Sequence, residues 1–89
     1  MAKKRTKLEV IKDLLEVLKK GKQAKITHLI YKANLSNNSI KPYLEELINN
    51  KLMESKEEAG KKYFIITKKG EEFLQEYNKI IILSESYGL

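Results

Sequence analysis

The sequence predicts a mostly α-helical chain with one small β-hairpin, in the order helix, helix, helix, hairpin, helix. Two observations carry that prediction. Apolar residues recur at three- and four-residue spacing in four segments, the period of a helix face. Residues 51–56 and 61–67 instead read as two strands around "EEAG", whose Gly60 favours a tight reversal. A chain of 89 residues, 42% of them hydrophobic, has room for one modest core and none for a second.

Thr6 can cap a first helix running to about Lys20 and stopped by Gly21, with Leu8, Ile11, Leu14, Leu15 and Leu18 as its apolar stripe. Thr27 is the next expected cap, opening a short helix whose Leu29, Ile30 and Ala33 face inward. "ANLS" then turns, with Asn34 able to enter the left-handed region at low cost. The third helix follows to Asn49–Asn50, with Ile40, Leu44, Leu47 and Ile48 on one face. Pro42 bears on where it starts. A cap at Asn38 or Ser39 would put the proline in the first turn, where its missing N–H has no partner to lose. A start directly after Ser36 would put it sixth and remove a hydrogen bond. The first frame is preferred, with the second as the alternative. Thr67 caps a last helix through "KKGEEFLQEYNKIIILSE", and a short strand around Ala24–Ile26 could join the sheet. The expected division is residues 1–67, a basic arm with the three helices and hairpin, then the helical residues 68–89 as part of the same single domain.

The charge is unevenly placed. Residues 1–25 hold nine basic side chains against three acidic ones, and residues 26–89 hold nine of each, so the whole net charge of +6 lies in the arm and first helix. A basic arm beside a neutral body suggests a polyanionic partner; a lysine-rich solubilising tail is the plainer explanation. The longest apolar run, Ile80–Leu83, is far short of a membrane span. "MAKKRTK" is followed by no apolar region of a secretory signal. The absence of cysteine suits an intracellular, cytoplasmic protein and excludes thiolate metal sites. With one histidine, expected at the surface, and one aspartate, neither a familiar metal cluster nor a Ser-His-Asp triad can be assembled. "KKGEE" is no phosphate-cradling loop. An enzyme, a cofactor and a small-molecule substrate are therefore not expected.

Two short helices, a turn and a third helix with a polar exposed face make a helix-turn-helix, and the hairpin after it would be a wing. The run "ITHLIYKANLSNNSIKPYLEELINNKLM" followed by "KKYFIITKKGEEFLQEY" resembles the small archaeal winged helix-turn-helix proteins. With its "MAKKRTKLE" opening, the chain is most similar to their crenarchaeal DNA-binding group, over residues 1 to about 78. That resemblance implies a winged-helix fold, binding to double-stranded DNA at the nucleoid, and homodimers paired through the last helix. The family's last helix usually supports an extended antiparallel coiled coil; here the sequence ends at Leu89, which implies a short contact.

In the third helix Asn37, Asn38, Ser39 and Lys41 are the candidate DNA-binding residues. Asparagine can pair with adenine's donor and acceptor in the major groove, and lysine reaches guanine or phosphate. Lys3, Lys4 and Arg5 of the arm and Lys61 and Lys62 of the hairpin are candidates for phosphate, although Glu57 and Glu58 partly cancel the hairpin pair. Glu45 would repel phosphate unless it faces a cytosine amino group or points away. Tyr31 and Tyr43 are expected to pack beside apolar stripes. Phe73, Tyr77, Ile80, Ile81, Ile82 and Leu83 are the expected dimer contact, because four successive apolar residues sweep about 300° of a helix and cannot all face one core. The function read from these residues is a homodimeric transcription regulator with its third helix in the major groove. The alternatives are a non-specific architectural coat on DNA and a winged-helix module that binds protein.

Overall fold

The Thr6 hydroxyl accepts a hydrogen bond from the Glu9 amide at 3.2 Å, and the Glu9 carboxylate accepts one from the Thr6 amide at 3.0 Å. This reciprocal capping box starts α1, Lys7–Gly21. In the computed structural model, which describes residues 5–89, α2 (Ile26–Ala33), α3 (Asn37–Asn49), β1 (Met53–Glu58), β2 (Lys61–Ile66) and α4 (Lys68–Ser86) follow. α1 is the spine, packing against α2, α4 and β2. Its buried stripe is Val10, Ile11, Leu14, Leu15 and Leu18. Leu8, expected in that stripe, is exposed, and Val10 takes its place. One turn of capping box holds Leu8 on the outer side of the first turn, while Val10 begins the i, i+4 row that meets Leu14.

Ala24, Leu29, Ala33, Ile40, Leu44, Leu47, Met53, Phe64 and Leu74 complete the core, so every element contributes to it. α2 begins two residues earlier than the expected Thr27 cap allows: Lys25 occupies the cap position, with no side-chain hydrogen bond. The sheet explains the shift. Ala24 pairs with Phe64 through Ala24 N–H to Phe64 O at 3.0 Å and Phe64 N–H to Ala24 O at 2.8 Å. That bridge holds the chain extended through Ala24, and the helix turns directly after it. The expected third sheet member is thus this one bridge.

Asn34 ends α2 in the left-handed region (φ 55°, ψ 52°), as expected. Ser36 then caps α3, its hydroxyl accepting from the Ser39 amide at 3.1 Å, while Ile40 N–H donates to Ser36 O at 3.1 Å. The preferred start at Asn38 or Ser39 is therefore corrected: α3 starts at Asn37 and Pro42 is its sixth residue. The Ser36 cap sets that frame by taking the Ser39 and Ile40 amides, and Ile40, Leu44 and Leu47 then lie on one buried row. The cost falls on the Asn38 carbonyl, which loses the amide of residue 42. Asn38 is exposed, so water can take that place.

β1 and β2 pair antiparallel with Glu58 opposite Lys61, leaving a two-residue turn of Ala59 (φ 53°) and Gly60 (φ 75°). Two positive φ values in a two-residue loop are the primed turn that suits strand twist. Thr67 caps α4 through the Gly70 amide at 3.0 Å and donates its hydroxyl to Lys51 O at 2.7 Å. α4 is packed by its first half only. Gly70 and Leu74 are its buried residues, and a 19-residue helix runs about 28 Å. The radius of gyration, 13.8 Å, accordingly exceeds the roughly 12 Å of a compact chain of this length, and the longest dimension is 49 Å.

Candidate nucleic-acid interface

The turn at Asn34 and Leu35 delivers the N-terminal end of α3 to solvent. Ser36 is committed to the cap, and its hydroxyl lies 2.8 Å from that of Ser39. Asn37, Asn38, Ser39 and Lys41 are all exposed. The side chains of Asn37, Asn38 and Lys41 hold no hydrogen bond or ion pair with other described residues. Two amides and an ammonium therefore sit together over the first turns of one helix with their donors and acceptors unspent. Glu45 stands one turn behind Lys41 on the same flank.

The hairpin supplies the second side of the surface. Lys41, Leu44, Glu45 and Ile48 of α3 face Ile26, Lys62 and Phe64 across a cleft of about 290 Å³. Lys62 Nζ stands 5.6 Å from the Phe64 ring centroid, within the range of a cation–π contact. Lys61 and Lys62 lie opposite Glu58 and Glu57 in the strand register. Glu58 is paired instead with Lys56 at 3.4 Å. Among the described residues neither Lys61 nor Lys62 forms an ion pair with Glu57 or Glu58. Lys25, which the sequence did not single out, joins them with Nζ 5.8 Å from the Tyr63 ring centroid. Its sequence signals were its charge and its place within the short strand expected around Ala24–Ile26.

The cations of the N-terminal segment are differently placed. Lys3 and Lys4 lie outside the described residues. Arg5 is paired with Asp13 at 2.7 Å and donates to the Ala33 carbonyl. Lys7 is paired with Glu46 at 2.5 Å. Glu16 hydrogen-bonds Lys12 at 2.9 Å and holds it above the ordinary lysine range, so that cation is committed within α1. Arg5, Lys7 and Lys12 are thus engaged in ion pairs within the fold.

Two tyrosines divide. Tyr43 is half-buried against the core, as expected. Tyr31 was expected to pack and is instead 79% exposed, because α2 turns only Leu29 and Ala33 fully inward. His28 is exposed, as expected. On α4, Phe73 packs against the core and stacks on Tyr77 with centroids 6.3 Å apart. Beyond them Ile80, Ile81, Ile82 and Leu83 are 63%, 40%, 67% and 57% exposed. Among the described residues no helix is long and apolar enough to cross a membrane, and no group of three or more His, Cys, Asp or Glu could hold a metal ion.

Three helices ending in a polar-tipped α3, with a hairpin beside it, define a helix-turn-helix carrying a wing. The chain belongs to the winged helix-turn-helix family, whose profile matches residues 4–85. Among solved structures it is similar to Sso10a-2, a DNA-binding protein from Sulfolobus solfataricus, at 25% identity and a TM-score of 0.81, over 93% of this chain and 85% of that one. It is also similar to F93 from STIV, a winged-helix DNA-binding protein, at 18% identity and a TM-score of 0.71, over 88% and 91%. No protein of curated function matches the sequence.

Proposed function

We propose that the protein binds double-stranded DNA as a homodimer and acts as a transcription regulator at the nucleoid, with α3 in the major groove. The observation that carries this reading is the unspent polar tip of α3 flanked by free wing lysines. Asn37, Asn38, Ser39 and Lys41 read base edges, and Lys61 and Lys62 hold the backbone, joined by Lys3 and Lys4 of the arm. The similarity to Sso10a-2, a DNA-binding protein, supports the same partner. For the dimer the support is the outer half of α4, where exposed Ile80–Leu83 exceed what a monomer needs. Pairing two such helices about a two-fold axis would cover them and set two α3 helices in fixed register, at half-sites about 34 Å apart.

Sequence-independent coating of DNA is the second reading. It is favoured by a basic excess that lies in residues 1–25, outside α3. Electrophoretic mobility on random and on selected duplexes across a salt series separates the two. A regulator prefers its selected site at every salt concentration; a coat shifts both duplexes alike. In either case each phosphate contact removed, as in Lys61→Ala or Lys62→Ala, flattens the slope of log affinity against log salt by about 0.9. A chain that shifts no duplex even at low salt would defeat both readings and leave protein binding.

A further inference from the structure

Arg5 lies in the basic arm, and its charge alone would make it a phosphate ligand. Its surroundings assign it other work. One guanidinium nitrogen is 2.7 Å from Asp13 Oδ2 on α1, and the other donates to the backbone carbonyl of Ala33. Ala33 is the last residue of α2 and is wholly buried. Its carbonyl is one of the four at that helix end with no intrahelical amide, and a cation there also meets the negative end of the helix dipole. The next residue, Asn34, is the left-handed hinge of the turn into α3. Two residues after Arg5, Lys7 reaches Glu46 on α3 at 2.5 Å. The start of α1 is thus fastened to the end of α2 by Arg5 and to α3 by Lys7, one clasp on each partner of the helix-turn-helix.

We propose that Arg5 is a positioning residue that clamps the turn between α2 and α3, and so fixes the direction in which α3 is presented; it is not a phosphate contact. The proposal rests on the DNA-binding reading for its functional consequence only. The clamp requires the arginine fork. A lysine keeps the charge but offers a single centre that cannot hold a carboxylate and a carbonyl in two fixed directions. Asp13 is the second requirement, because it orients the guanidinium; the same carboxylate lies 3.7 Å from Lys12, so it is held from both sides.

Three variants decide the matter: Arg5→Lys, Asp13→Asn and Arg5→Ala. The first measurement is amide hydrogen exchange without DNA. Clamping predicts that Arg5→Lys and Asp13→Asn each speed exchange at Asn34 and Leu35 on the order of tenfold, the scale of one lost charge-assisted hydrogen bond, while Leu74 in α4 is unchanged. A general loss of stability would accelerate Leu74 equally and overturn the proposal. The second measurement is duplex binding across salt. Positioning predicts weaker binding for all three variants with the salt slope of the wild type. If Arg5→Ala instead flattens the slope by about 0.9 and Arg5→Lys binds normally, Arg5 is a phosphate ligand and the proposal fails. A wild-type chain that binds no duplex would defeat the DNA reading, and the exchange comparison would still decide the clamp.

Discussion

Gly70→Ala is expected to destabilise the fold although it puts a better helix former into α4. A Cβ at position 70 would lie 2.2 Å from the Leu52 carbonyl oxygen and 2.7 Å from Cγ1 of Ile66. Both distances are well inside normal contact, the first by more than 1 Å on the scale of about 3.5 Å for packed atoms. The oxygen is backbone, and it accepts the Thr67 amide at 3.2 Å. Relief therefore displaces the cap of α4 or the start of β1. Overpacking of this kind costs about 1–3 kcal/mol, and the gain in helix propensity returns at most about 1 kcal/mol. An approach of 2.2 Å to a backbone atom calls for the upper end of that range, so a net loss of about 2 kcal/mol lowers Tm by roughly 8–16 °C for a domain of this size. Far-UV circular dichroism melts at one fixed concentration measure it, since the proposed dimer would make Tm concentration-dependent. Gly21→Ala is the control: a Cβ there meets nothing within 4 Å, so its Tm should hold or rise. A Gly70→Ala protein that melts at or above the wild type would refute the argument that α4 is seated by this close approach.

Two further predictions address the interfaces. Replacing Ile81 and Ile82 with lysine sets like charges across the proposed two-fold axis; the variant should sediment as a monomer and bind DNA far more weakly, whereas a wild-type chain that is itself monomeric at high micromolar concentration would end the dimer reading. Asn38→Ala or Lys41→Ala should cost roughly 1–3 kcal/mol on a preferred site and much less on random DNA; equal losses on both would assign these side chains to the backbone and favour coating.

Element order and type were legible in the sequence because they follow from periodicity and caps: Thr6, Asn34 and Thr67 act as their residue types suggest. The boundaries that shifted are those set by tertiary contacts. Thr27 looked like a cap by composition, but with Ala24 bridged to Phe64 the cap falls two residues earlier, at Lys25. Pro42 argued locally for a late start to α3, and the cap that Ser36 forms on the Ser39 amide outweighed it. Candidate contact residues could be named from charge and helix face. Whether a given cation was free could not, because that depends on partners distant in sequence. Arg5 meets Ala33 across 28 positions, and Lys7 meets Glu46 on another helix, while Lys25 became notable only when the bridge set it beside Tyr63.

In the proposed complex the N-terminal end of α3 and the wing together face DNA. Titrating the isotopically labelled protein with a short duplex, and following each backbone amide and lysine side chain by NMR, tests it most directly. The largest shifts should fall on Asn37–Lys41 and on Lys61 and Lys62, with little change along the outer half of α4. Shifts centred on α4 or on the exposed side of α2, with the α3 tip and the wing unmoved, would contradict it.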